Sequence, residues 1–360
     1  MNRIAKACSG SLRSCWLLAL AWCAAASGWA QEAPAVRLRV VGGLAGVSQY
    51  TVHEERFWAS ELARLSKGRY SASIVPFNKA GVPGSEMLNL MKLGVIPMGT
   101  ALLSQVANDN PDLAAPDLAG LSQDMPTLRR ITAAYRPVLE EALRERFNVQ
   151  LLAVYVYPAQ SIFCRHALQQ LSDLRGRRIR VSGASQADLV RALDAIPVTT
   201  EFTEIVSNIT SGSADCAITG TMSGNLIGLH RHTTHLYSTP INWGLGVFGV
   251  NRDAWNAMPA ELRTLLLAEL PRLETAVWSE AERETLGGVA CNTGKGECVH
   301  GTPGRMTWVR ASAADQRLLR ELFRTRVLPR WVERCGDDCA RLWEQTIGAA
   351  LAPAPEGPAR

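Results

Sequence analysis

Residues 171–225 read LSDLRGRRIRVSGASQADLVRALDAIPVTTEFTEIVSNITSGSADCAITGTMSGN and switch repeatedly between two periodicities. RIRVSG (178–183) alternates as a strand does, 185–193 carries the spacing of a short helix, Thr203 stands where it caps a helix through Ile209, and ADCAITG (214–220) is again strand-like. Strands separated by helices describe α/β units, whose crossovers make a largely parallel sheet.

The same alternation continues upstream. VRLRVVG (36–42) is a strand ending in Gly42-Gly43, and 52–67 places Trp58, Leu62 and Leu65 on one helical face before Gly68. YSASIVPF (70–77) alternates again, and Ser85 caps a helix through Leu93 with Met87, Leu88 and Met91 inward. Asp124 and Pro126 open a long helix with Leu128, Ile131, Val138 and Leu139 on one face and a Glu140–Arg144 pair on its surface. VQLLAVYVY (149–157) is almost continuously apolar, as in a sheet covered on both faces. Downstream, 235–241 and 244–251 are extended, Pro259 opens a helix to about 285, and Ser312 with Asp315 forms a capping box for 313–333. A chain of 360 residues, 47% hydrophobic and 20% charged, is globular in composition and long enough for two cores.

The first thirty residues read as an address. Residues 1–14 carry only positive charge, CWLLALAWCAAA (15–26) is apolar, and cleavage fits after Ala26 or Ala30. The bulk of Trp22 argues against a lipid anchor on Cys23. No later apolar run approaches the ~18 residues of a membrane helix. The expectation is a periplasmic chain, soluble and not membrane-anchored. Without Arg3, Lys6 and Arg13 the formal charge falls from +5 to +2, which argues against nucleic acid. Of nine cysteines, Cys8, Cys15 and Cys23 lie in the leader, leaving an even six for an oxidising compartment. Cys291/Cys298 and Cys335/Cys339 are the disulfide candidates, bonded locally or cross-linked. Cys164 and Cys216 in strand-like segments suit a buried thiol as well as a bridge.

Catalytic motifs are sparse. There is no G-x-S-x-G elbow, and His53-Glu54 lacks the second histidine of a zinc protease helix. His230, His232 and His235 could serve an exported metal-binding or hydrolytic protein, although Arg231 among them opposes a cation. No cofactor and no metal site is expected, and the chain is read as a binding protein rather than an enzyme.

The order of motifs resembles that of TRAP-type periplasmic solute-binding proteins, dicarboxylate-type branch. The matching residues are Asp173-Leu174-Arg175-Gly176, Arg180-Val181, Asp194-Ala195-Ile196-Pro197, Phe202-Thr203-Glu204 and Gly212-Ser213-Ala214-Asp215-Cys216. Upstream, Gly81-Val82-Pro83-Gly84-Ser85-Glu86 and the helix end at 90–94 fit the same pattern. Downstream, Val250-Asn251-Arg252-Asp253-Ala254-Trp255 and Met258-Pro259-Ala260-Glu261-Leu262 do so too. The resemblance spans roughly 36–345. It implies α/β architecture in a two-lobed, periplasmic binding protein type II-like fold with crossing strands and a hinge helix. Lobe I would be 31–158 plus 246–285, and lobe II 159–245 plus 286–348 with the C-terminal helices, between a 1–30 signal peptide and a disordered 349–360 tail.

The resemblance also implies a ligand and a partner: an organic anion delivered to TRAP permease membrane subunits. A sensory module of the same fold is the alternative. Arg180 matches the arginine that pairs with the ligand carboxylate, and a guanidinium presents parallel donors suited to that group. Gln160 stands where a second arginine is frequent, Thr219 near a frequent asparagine, and Gly43 where some members use asparagine. Trp243 would stack on an apolar ligand body or pack between the lobes. Glu86 would touch the rim or simply serve its helix N terminus. These departures point to a monocarboxylate with an apolar portion.

Overall fold

Eleven strands run through the part of the chain that the computed structural model describes, residues 36–352. They are β1 (Val36–Gly42), β2 (Tyr70–Pro76), β3 (Met98–Leu102), β4 (Val149–Val156), β5 (Gln160–Cys164), β6 (Arg178–Val181), β7 (Ile196–Thr199), β8 (Cys216–Gly220), β9 (His235–Asn242), β10 (Leu245–Asn251) and β11 (Thr307–Val309). They form a five-stranded sheet ordered β2-β1-β3-β10-β4 and a six-stranded sheet ordered β11-β9-β5-β8-β6-β7. Helices pack on both, giving the mixed α/β architecture that the alternation called for and the two lobes that the resemblance implied. The sheets are not largely parallel as expected, because β10 runs antiparallel to β3 and β4, and β5 antiparallel to β8 and β9.

The chain passes between the sheets at 157–159, after β4, and at 243–244, after β9. The two passages stay paired: the Tyr157 amide donates to the Gly244 carbonyl (3.0 Å), Gln160 faces Asn242, and Leu245 faces Val156. A third tie is the Ala260–Thr293 helix. Trp278 Nε1 donates to the Val154 carbonyl of β4 (2.7 Å), Thr285 Oγ1 accepts from the Ala159 amide (3.0 Å), and Asn292 Nδ2 reaches the Thr221 carbonyl beyond β8 (2.8 Å). This helix outruns the expected end near 285. Gly288 does not break it; a Cβ there would sit 2.3 Å from the Met222 amide nitrogen, so the glycine permits close packing on the neighbouring helix.

Among the described residues the three disulfides are local or between neighbours. Cys164 and Cys216 are register partners on β5 and β8 and are bonded, while Cys291 bonds Cys298 and Cys335 bonds Cys339. After the capping box at Ser312 and Asp315, the C-terminal helices touch both sides. Arg334 pairs with Asp188 (2.6 Å), and Trp331 Nε1 donates to the Pro111 carbonyl (2.7 Å). The expected tail begins with a further helical turn, Ala349–Leu351. Residues 353–360, like the leader, lie outside the described residues. Among the described residues no helix is long and apolar enough to cross a membrane.

Candidate functional site

In open α/β sheets ligands lie beyond the carboxyl ends of parallel strands. Here those ends face one another across the two sheets. Leu44 follows β1, and Leu102, Ser104 and Gln105 end or follow β3; opposite them stand Arg180 of β6 and Ser182 just after it, Thr199 ending β7 with Thr200–Phe202 after it, Thr219 of β8, and Ser223 in the helix that follows β8. Together they enclose a cavity of about 350 Å³, closed at the back by Tyr157, Gln160, Gly244 and Leu245 from the two crossings. At the mouth Gln105 Nε2 donates to Glu201 Oε2 (2.6 Å), bridging the sides.

Arg180 is the buried cation of this cavity, 3% exposed, whereas Arg178 on the same strand is exposed and paired with Asp215 (2.8 Å). Arg180 donates from Nε (3.1 Å) and Nη2 (2.8 Å) to the Thr200 carbonyl and from Nη1 (3.0 Å) to the Ile218 carbonyl. A guanidinium has five N–H donors, so one remains on each terminal nitrogen. Among the described residues no carboxylate lies within ion-pair distance of it. Burial lowers its pKa to about 10, with Glu201 and Glu204 opposing the shift, so it stays charged at neutral pH. A buried cation held only by carbonyls retains capacity for an anion.

The crossing beside the cavity is anchored by Asp117. Its buried carboxylate accepts from the Trp243 amide (2.8 Å), the Gly244 amide (2.7 Å) and Asn242 Nδ2 (2.9 Å). Desolvation raises its pKa to about 6 against the pull of these donors. Gln160 Nε2 braces the same turn by donating to the Trp243 carbonyl (3.2 Å).

Of the residues singled out from sequence, Arg180, Thr219 and Gln160 line the cavity together. Trp243, Gly43 and Glu86 do not, although their neighbours Gly244, Leu44 and Ser85 do. The Trp243 indole is turned away, buried, with Nε1 donating to the Ser122 carbonyl (3.1 Å); its place is interlobe packing. Gly43 sits behind the wall, where a Cβ would meet Gln49 Oε1 at 2.6 Å and the Tyr157 hydroxyl at 2.7 Å. Glu86 is exposed and accepts from Asn89 Nδ2 (3.3 Å). Sequence reading missed Ser104, Gln105, Ser182 and Glu201. The start of the helix after β7 also differs: Glu201 and Glu204 make the capping box in place of Thr203, around a single 3₁₀ turn, Phe202–Glu204. The three histidines do not gather. His230 Nδ1 lies 3.3 Å from Asn225 Nδ2 and His235 Nδ1 lies 2.8 Å from Thr234 Oγ1. Among the described residues no cluster of three or more His, Cys, Asp or Glu is arranged for a metal.

Comparison with known proteins bears on the family and the fold. Residues 44–290 match the family model described as bacterial extracellular solute-binding protein, family 7. Among solved structures, a Bordetella pertussis extracytoplasmic solute receptor binding pyroglutamic acid has a TM-score of 0.76 at 20% identity, covering 86% of this chain and 99% of that one. A TRAP periplasmic solute-binding protein from Rhodoferax ferrireducens with bound malonate gives 0.75 at 16%, covering 87% and 98%. One from Desulfovibrio desulfuricans with bound sn-glycerol-3-phosphate gives 0.75 at 13%, covering 90% and 100%. No curated protein matches.

Proposed function

The chain belongs to family 7 of the bacterial extracellular solute-binding proteins, a family of non-enzymatic receptors, and from that premise we propose that it captures an organic carboxylate in the periplasm and hands it to TRAP permease subunits. The observation that carries the reading is the Arg180 fork, buried in the interlobe cavity with one N–H on each terminal nitrogen uncommitted. Two charged donors on one guanidinium suit the two oxygens of a carboxylate, and the bond strengthens when closure removes water. Leu44, Leu102, Leu245 and Phe202 offer apolar wall to the body of the acid, in the part first assigned to Trp243. Thr219, Gln160, Ser104 and Ser182 supply neutral hydrogen bonds. Ligand favours the closed arrangement because only there do both sides contact it. On the same reading the first lobe boundary, 158/159, falls at the first crossing, and the second, 245/246, falls one residue inside β10, just past the second crossing.

The test is mass spectrometry of acid carried through purification, followed by a melting screen across organic acids. A carboxylate that raises the unfolding midpoint supports the proposal, because a ligand at 100 Kd adds about 2.7 kcal/mol of apparent stability. A screen in which only neutral or cationic solutes stabilise the protein would overturn it.

A further inference from the structure

The cavity lining carries three charged side chains: Arg180 on the floor, and Glu201 and Glu204 on the turn after β7. Glu201 reaches the mouth, where its Oε2 accepts from Gln105 Nε2, and Glu204 Oε2 accepts from the Glu201 amide (3.1 Å). Both carboxylates lie close enough to Arg180 to favour its charged form. Once a ligand carboxylate occupies the Arg180 fork, the lining holds no second cation, and the side of the cavity toward the mouth is negative. A second carboxylate on the ligand would therefore lose water and meet like charge. An amide N–H or ammonium in the same place would meet an acceptor.

Resting on the carboxylate reading above, we infer that Glu201 is a specificity-determining residue: it makes the site select singly charged acids with a hydrogen-bond donor at the end nearest the mouth, and reject dicarboxylates. Its reach across the cleft to Gln105 makes this selection part of closure. Glu204 adds to the same field while serving its helix start.

Succinate and succinamate isolate the effect, since they match in size and differ only in a carboxylate exchanged for a carboxamide. Each is titrated at neutral pH into wild type, Glu201→Gln and Arg180→Ala, as a competitor of the co-purified acid. In wild type succinamate should bind about tenfold tighter than succinate, the scale of a partly screened charge pair. Glu201→Gln should narrow that ratio by about threefold or more while leaving the unfolding midpoint in place. Succinate binding as tightly as succinamate to wild type, or a ratio that Glu201→Gln leaves unchanged, would overturn the inference. Arg180→Ala scores the underlying reading separately: retention of both acids there defeats the carboxylate fork, whereas their loss with an unchanged Glu201→Gln ratio defeats only the selector.

Discussion

A methyl group added at Gly183 should wedge the cleft open. Gly183 follows β6 on one side of the cavity, and the atoms it approaches belong to Ser104 on the other. A Cβ at 183 would lie 2.8 Å from the Ser104 carbonyl oxygen and 3.3 Å from its Cβ. The backbone there is extended, with φ −174°, so alanine enters without conformational strain and the whole penalty falls on the contact. Restoring ordinary separation requires the two sides to part by about half an ångström, and overpacking of that kind costs about 1–3 kcal/mol. The cost applies to the closed arrangement, so Gly183→Ala should weaken ligand binding by about 5- to 150-fold. The unliganded unfolding midpoint should move little. Titration calorimetry with the co-purified acid reads the affinity, and small-angle scattering reads whether ligand still contracts the particle. Affinity within twofold of wild type, with full contraction, would refute the claim that this contact belongs to closure.

Other perturbations test separate parts of the account. Glu54 is buried, accepts from the Gly43 amide (2.6 Å) and the Thr100 hydroxyl, and has its pKa raised by desolvation to about 7. The folded form thus binds the proton more tightly than the unfolded form, so this group's stabilisation is complete below the unfolded value and is lost as pH rises through about 7. The midpoint should rise on acidification from about pH 8 to pH 5, and more shallowly in Glu54→Gln; parallel profiles would exclude Glu54 as the cause. Chain entropy ranks the disulfides by their separations of 52, 7 and 4 residues. Cys164→Ala/Cys216→Ala should cost about 4 kcal/mol in urea unfolding against about 2 for each other pair, and the reverse order would contradict that ranking. Trp243→Phe removes the bond to Ser122 and should lower stability by about 1 kcal/mol while leaving ligand preference intact. A changed preference would return the indole to the cavity.

Much of the architecture is written in local pattern. The apolar run at 149–156 and the capping signals at Asp124 and Ser312 fall where structure forms, because they act within a few residues. Met98–Leu102, Ile196–Thr199 and Thr307–Val309 escaped notice as strands, being too short to show a period and existing only through their neighbours in the sheets. Arg180 was legible through motif order, yet strand alternation alone put it on the same face as Arg178. What separates them is position: Arg178 begins β6 beside Asp215, while Arg180 lies where the 3₁₀ turn from the next crossover covers it. Trp243 leaves both readings open in sequence, ligand wall or interlobe packing, because an aromatic beside a crossing carries no local sign of which side it will face. Gln105 and Glu201 lie 96 residues apart and meet only across the cleft, so their pairing becomes visible only once both sheets are in place.

Capture of the acid is assigned above all to Arg180. Titration of the co-purified carboxylate into wild type and Arg180→Ala measures this directly. Loss of two charge-assisted hydrogen bonds should weaken binding by at least about 100-fold, with the unliganded midpoint shifted by no more than about 3 °C. Binding by Arg180→Ala within about threefold of wild type would contradict the account, whatever else the cavity contains.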